Sequence, residues 1–370
     1  MMNRINQKWF NTIILGALLM LGLLMFSFVN IKNDTQAERI VNKAIGIDTH
    51  NHMDVPFDKM EFKNQKYDLK GEIKKSGFSA ICMTFCVDRP KLDSIGESYN
   101  RFIVSLDEMD LLLKSNNIRR ALNYSDLQLA HKANEPIVIQ SVEGGHFIED
   151  KIERIEIAYK RGLRHLGLLH DNQSFVPLGD IYTDPEQFGG LTEIGIKVVK
   201  ECNRLGILLD LAHCSNKAIN DALKVSTKPI LISHTGLNTQ LGTNEKMAKM
   251  MMPRLISKEQ AKIVADAGGV IGIWTHLADS PLEYAKNIKA MVDVVGIDHV
   301  CIGTDTKMTT PENGHERFGQ KTNQVWGNEK GGFLFSVVTA MLEIGFTEEE
   351  IIKIIGGNYC RIFDAATSKK

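Results

Sequence analysis

Ala44-Ile45-Gly46-Ile47-Asp48-Thr49-His50-Asn51-His52 is a short apolar run that ends in histidines. That ending separates two α/β architectures. A doubly wound open sheet carries a glycine-rich phosphate loop, G-x-G-x-x-G, directly after its first strand. Residues 41–51 contain no such loop, and no Walker-type lysine loop occurs elsewhere. Seven more apolar runs bounded by turn residues follow, at 78–87, 136–143, 162–170, 206–214, 229–236, 269–276 and 299–306. Most are apolar on both faces, as buried parallel strands are. Stretches of helical length separate them, for example 94–116, 191–205, 257–267, 281–295 and 332–344. Eight βα units in about 325 residues predict an α/β fold, a (β/α)8 TIM-type barrel.

In such a barrel the C-terminal ends of the strands share one rim, so residues far apart in sequence converge there. The first run closes with Asp48-Thr49-His50-Asn51-His52, and later ones with Glu143, His170, His213, His234 and Asp305. Each is weak evidence alone, because a lone histidine after a strand is commonly a hydrogen-bonded structural residue. Six strand ends of ligand or acid/base type are not independent accidents. Positions i and i+2 of a strand face the same side, so His50 and His52 can both point at one metal. Imidazoles with carboxylates suit zinc, and the two oxygens of Glu143 allow it to bridge two ions. A binuclear centre is therefore expected.

These motifs together resemble a known family. Ile47-Asp48-Thr49-His50, Val142-Glu143-Gly144-Gly145-His146, Leu211-Ala212-His213-Cys214-Ser215, Ser233-His234 and Gly356-Gly357-Asn358 look like the membrane (renal) dipeptidases. The resemblance runs from about Ile45 to Phe363 and implies a zinc-dependent, amidohydrolase-type barrel. It implies that Glu143 bridges two zinc ions, that His213 and His234 hold one, and that the first-strand ligands hold the other. It further implies that His170 stabilises the tetrahedral oxyanion, that Asp305 handles the proton, and that Arg254 grips a substrate carboxylate, a task that suits its bidentate fork.

Two departures from the family pattern stand out. The usual H-x-D after strand one is here His50-Asn51-His52-Met53-Asp54, so the pair is His50/His52 or His52/Asp54. Keeping Ile47-Asp48 in place favours His50/His52. The usual D-F-D-G is here Asp305-Thr306-Lys307-Met308. His146 and His276 read as hydrogen-bonding supports, Trp274 as packing, and Asp210 as either a ligand-orienting group or the partner of a neighbour. His165, His299 and His315 have no comparable placement. The least regular stretch, 237–252, reads as a long loop over the barrel mouth.

The N-terminus carries its own signal. Trp9 to Ile31 is 23 residues without a charge, preceded by Arg4 and Lys8. Such a run spans the roughly 30 Å hydrocarbon core of a bilayer and, by the positive-inside rule, exports the body of the chain behind it. Residues 1–32 are therefore expected as an uncleaved anchor helix, 33–43 as a linker and 44–370 as the barrel, with the body in the periplasm or cell exterior. Secretion after signal cleavage is the alternative.

The chain's 44 Lys+Arg against 45 Asp+Glu leave no basic footprint for nucleic acid. The six cysteines are scattered; Cys82 and Cys86, about 13 Å apart along a strand, cannot bridge. The function expected is hydrolysis of a dipeptide or similar small amide, with the membrane contacted through the anchor and a homodimer allowed. Lactone or N-acyl hydrolysis on the same metals is the competing reaction, and a non-catalytic small-molecule or metal-binding barrel the competing class.

Overall fold

The computed structural model describes residues 35–53, 67–183, 185–308, 320–327 and 331–368. Its strands are β1 (Ile47–His52), β2 (Ala80–Thr84), β3 (Arg119–Arg120), β4 (Ile137–Val142), β5 (Leu163–Gly167), β6 (Leu208–Asp210), β7 (Leu231–Thr235), β8 (Val270–Ile273), β9 (Val300–Ile302) and β10 (Thr306–Lys307). They form one sheet in the order β10-β1-β2-β4-β5-β6-β7-β8-β9, with β3 beside β4. The pairing of β8 with β9 and of β10 with β1 is parallel, as are the ladders between. Because β9 and β10 are separated only by Gly303-Thr304-Asp305, the two ends of this order are consecutive in the chain. The sheet curls back on itself, and the arrangement is that of a TIM-like barrel.

All eight expected runs contain a strand, with two corrections. The last run is split, since Asp305 adopts φ 54, a left-handed conformation that no strand continues through. The two-residue β3 was not anticipated: its arginines lack the apolar run that marks a buried strand.

The expected helices appear as Glu97–Ser115, Glu193–Leu205, Lys258–Asp266, Pro281–Val295 and Phe333–Glu343. Four begin at a residue whose conformation or side chain sets the boundary. Thr192, Ser257 and Ser280 each accept from a backbone N–H two or three residues inside the helix, and Pro281 occupies the first turn. Gly96, left-handed at φ 92, precedes the helix at Glu97.

Two other segments differ from their reading. Residues 35–43, expected as linker, are helical. Ala37 and Ile40 are fully buried, and Arg39 and Lys43 pair with Glu348, so packing against the body holds this polar stretch, which also contains good helix formers, as a helix. The loop expected over 237–252 contains a helix, Glu245–Met251, capped by Asn244. Met251 packs with Trp274 and Leu277, whereas Met250 and Met252 are exposed. The anchor expected at 1–32 lies outside the described residues, among which no helix is long and apolar enough to cross a membrane.

The barrel interior is tight where β1, β7, β8 and β9 face one another. Thr49 donates its hydroxyl to Ser233 O at 2.8 Å across this space. A Cβ at Gly272 or Gly303 would lie 1.9 or 1.8 Å from the same carbonyl, so neither position admits a side chain. Gly356 meets the opposite end of β1 equally closely, its Cβ position 1.8 Å from Ile45 O, and Asn358 donates to Ile297 O and Val300 O. Gly-Gly-Asn thus seals the barrel floor, away from the strand ends that carry the histidines.

Candidate metal centre

The curled sheet delivers its strand-end residues to one point. Glu143, immediately after β4, lies at the middle. Its Oε1 is 2.8 Å from His213 Nε2, 3.4 Å from His50 Nε2 and 3.7 Å from His234 Nε2. Its Oε2 is 3.2 Å from His170 Nε2 and 3.5 Å from His52 Nε2. The imidazoles also crowd one another, with Nε2 atoms 3.1 Å apart for His50 and His52 and 3.0 Å apart for His213 and His234. The sequence-derived residues His50, His52, Glu143, His170, His213 and His234 therefore share one site. Asp54, the alternative first-strand ligand, lies outside the described residues.

This donor set fits metal ions. Glu143 Oε2 is buried and makes no hydrogen bond, an arrangement costly for a carboxylate unless a cation faces it. Several of the Nδ1 atoms are engaged outside the cluster. His170 Nδ1 lies 2.7 Å from Asp88 Oδ1, and His213 Nδ1 lies 3.1 Å from Asp171 Oδ1. Ser233 Oγ lies 3.2 Å from His50 Nδ1 and 2.9 Å from His234 Nδ1. An Nδ1–H committed to an outer acceptor leaves the Nε2 lone pair facing inward, the usual state of a metal-ligating histidine. Donor atoms within 4.8 Å of one another are offered by His50, His52 and Glu143, and by Glu143, His170 and His213; His50, His234 and Asp305 form a further group, and Cys86, Asp88 and His170 another.

The electrostatics favour ionised carboxylates at Glu143 and Asp305, and burial disfavours the charged form of His170 and His234. Burial raises the pKa of Glu143, but the surrounding histidines, His170 foremost, hold it well below the usual carboxylate range. Asp305 behaves alike, with burial opposed by His234 and His276. Burial and the neighbouring His50 push His234 well below the ordinary imidazole value. His52 differs: burial lowers its pKa, but Glu143 and Asp305 together raise it.

Two site residues, His213 and Asp305, sit at positive φ, 65 and 54. Non-glycine residues held there cost about 1–3 kcal/mol each. The conformation turns each side chain from its strand end toward the cluster.

On one side of the centre is a cavity of about 200 Å3, lined by Tyr182, His213, His234, Arg254 and Trp274 among others. Arg254 Nη2 lies 2.6 Å from Asp171 Oδ2, and its Nε donates to Tyr182 OH at 2.6 Å. Tyr182 OH donates to Asp171 Oδ1 at 2.6 Å, and Arg89 pairs with the same carboxylate. Trp274, read from sequence as packing, borders this cavity, and its Nε1 is buried without a hydrogen-bond partner.

His276 and His146, expected as hydrogen-bonding supports, have short polar contacts. His276 Nε2 lies 2.6 Å from Asp305 Oδ2, and His146 Nε2 lies 2.6 Å from Asn172 O. Asp210 pairs with His165 at 3.2 Å and accepts from Ser233 N and Ala212 N; it contacts none of the clustered imidazoles. Lys307 is the register partner of His52 across β10 and β1, so the two departures from the family pattern are neighbours. Asp88, Asp171 and Tyr182 escaped the sequence reading, and Ser233, which appears there beside His234, has no role in it. Asp88 lies one residue beyond the second run, and Asp171 is next to His170; inspecting those flanks would have found both.

Residues 34–370 match the membrane dipeptidase profile, peptidase family M19. This chain belongs to that family. A 269-residue stretch of the M19 chain is 28% identical to dipeptidase tcpJ of Claviceps purpurea, covering 67% of this chain and 58% of that protein. The chain thus spans little more than half the length of that relative. Among solved structures, the M19 chain is similar to an amidohydrolase from Pseudomonas aeruginosa (TM-score 0.72, 20% identity, 90% of this chain and 99% of that one). It is also similar to the probable dipeptidase PvdM from the same organism (TM-score 0.73, 16% identity, 91% and 98%). At these identities the two structures establish the fold alone.

Proposed function

We propose that this M19 chain is a zinc-dependent dipeptidase holding two ions, one between His50, His52 and Glu143 and the other between Glu143, His213 and His234. The observation that carries this reading is Glu143, whose two oxygens each face imidazole nitrogens from different strands. Bound zinc would supply Lewis acidity toward the amide carbonyl and lower the pKa of water from 15.7 to about 7.

The remaining steps belong to the chain's own groups. Asp305, held ionised, accepts the proton of the attacking water and returns it to the nitrogen of the leaving amine. His170 stands beside Glu143 and donates from Nε2 to the carbonyl oxygen as negative charge builds there, a contribution in which preorganised dipoles and charges count most. With Nδ1 bonded to Asp88, Nε2 can donate only from the imidazolium, a form that burial disfavours and that the ionised Glu143 and Asp88 favour. Arg254, at the cavity wall, binds the carboxylate of the substrate and thereby limits its length. The anion competes with Asp171 for the guanidinium.

The leader supports a body anchored to a membrane and facing the periplasm or cell exterior. A second reading, hydrolysis of an N-acyl amino acid, rests on the departure after Asp305, which makes Lys307 the register partner of His52 where the family pattern differs. Metal analysis after zinc loading, combined with a panel of L,L- and L,D-dipeptides, N-acyl amino acids and lactones, tests both. Cleavage confined to dipeptides supports the first reading, cleavage confined to N-acyl substrates the second. Near-zero bound zinc would leave only a binding role.

A further inference from the structure

The end of β8 and the segment joining β9 to β10 are tied together beside the metal centre. Thr304 O accepts from Thr275 N at 3.3 Å and from Thr275 Oγ1 at 3.0 Å. The backbones adjoining His276 and Asp305 are thereby held in fixed relation, and the side chains meet with His276 Nε2 2.6 Å from Asp305 Oδ2. The indole of Trp274 packs edge-on against the His276 ring at a centroid distance of 5.1 Å, which sets the ring plane. The other carboxylate oxygen, Asp305 Oδ1, lies 3.0 Å from His52 Nε2 and 3.8 Å from His50 Nε2. The two oxygens of Asp305 thus have separate neighbours, one facing the centre and one facing His276.

We propose that His276 is a positioning residue for amide hydrolysis: by donating its Nε2–H to Oδ2 of Asp305, it directs Oδ1 at the reacting water and the leaving nitrogen. The proposal rests on the reading of Asp305 as the proton-handling group of a dipeptidase. The terminal torsion of an aspartate is broad, so a carboxylate with both oxygens unconstrained samples many orientations. A short hydrogen bond to an ionised carboxylate is among the stronger ones and narrows that range. The His276 side chain is 20% exposed and that of Asp305 10%, so the ring also stands between Oδ2 and solvent. A water bound at Oδ2 would leave the proton acceptor free to turn away from the centre. A phenylalanine could keep the packing on Trp274, but it has nothing to donate.

Steady-state kinetics of the zinc-loaded full chain, with the best dipeptide of the panel, compare His276→Phe and His276→Gln with the unaltered protein. His276→Phe is expected to lose about 10- to 100-fold in kcat with KM and bound zinc unchanged, as loss of an orienting group does. Glutamine, which can still donate at about the Nε2 position, should recover much of that loss. Equal kcat for His276→Phe and the unaltered protein overturns the proposal, as does a loss that glutamine leaves untouched. A second measurement needs neither activity nor a substituted His276. In metal-free protein with nitrogen-labelled histidine rings, the bond predicts a downfield, exchange-protected Nε2–H proton that disappears in Asp305→Ala. Its absence from the unaltered protein also overturns the proposal. If the unaltered enzyme cleaves no dipeptide, the functional reading fails, and the proton resonance still decides whether His276 holds Asp305.

Discussion

Arg254 and Asp171 form an ion pair with Nη2 2.6 Å from Oδ2, and the other oxygen of Asp171 holds Nδ1 of His213 at 3.1 Å. One carboxylate therefore joins the wall of the cavity to a histidine of the metal centre. Asp171→Asn should lower zinc affinity by about 10- to 100-fold, because the orienting acceptor of a ligand is weakened. Arg254→Lys should keep zinc and raise KM, since an ammonium cannot reproduce the bidentate fork. Chelator competition and KM, measured on both variants, check the division; a loss of zinc in Arg254→Lys as large as in Asp171→Asn would contradict it.

Glu143→Gln keeps the size of the side chain but removes the charge that sits between the two groups of imidazoles. If two divalent ions are held as proposed, their repulsion should then expel at least one, and activity should fall by orders of magnitude. His146 is three contacts away, since it binds Asn172 O, Asn172 binds Asp88, and Asp88 binds His170. His146→Ala should keep both ions and lose about 10- to 100-fold in activity. Elemental analysis and turnover of the two variants, checked for folding by circular dichroism, give the ordering.

The narrow barrel interior predicts a steep difference between two glycines. At Gly303 a methyl group would lie 1.8 Å from the backbone oxygen of Ser233, which cannot step aside. Gly303→Ala should therefore cost about 3 kcal/mol or more, the upper range of overpacking. Gly268 has φ +81 and nothing within 4 Å of its Cβ position. Gly268→Ala should cost only about 1–2 kcal/mol, from the left-handed backbone. Urea unfolding midpoints measure both.

The cysteines predict an alkaline limit to stability. Burial pushes the thiols of Cys301 and Cys360 up to about 12, and five of the six free cysteines are buried. A raised folded-state pKa leaves stability intact below the unfolded thiol value of about 8.5, and stability is lost as pH rises from there toward the folded value. While the unfolded chain ionises and the folded one does not, the loss is about 1.4 kcal/mol per pH unit for each such thiol. A thiol reagent at pH 8 should react with at most one cysteine, Cys86, in the native protein and with six after unfolding. Rapid native reaction of several thiols would contradict the burial.

The eight apolar runs and the histidines, glutamate and aspartate at their ends were legible in the sequence, for a local reason. A buried parallel strand needs an unbroken apolar run, and the barrel places every strand's C-terminal end on one rim. Membership of His50, His52, Glu143, His170, His213 and His234 in a common cluster comes from that rule alone. The partners of their outer nitrogens do not. Asp88 reaches His170 across 82 residues and Ser233 reaches His50 across 183, distances at which no periodicity links a donor to its acceptor. The split of the last strand is equally a tertiary decision: Asp305 takes its left-handed φ where its N–H bonds to His50 O and its carboxylate is held between His52 and His276. Local sequence determined which chemical groups reach the rim, and the closing of the sheet decided which oxygen and which nitrogen each of them presents.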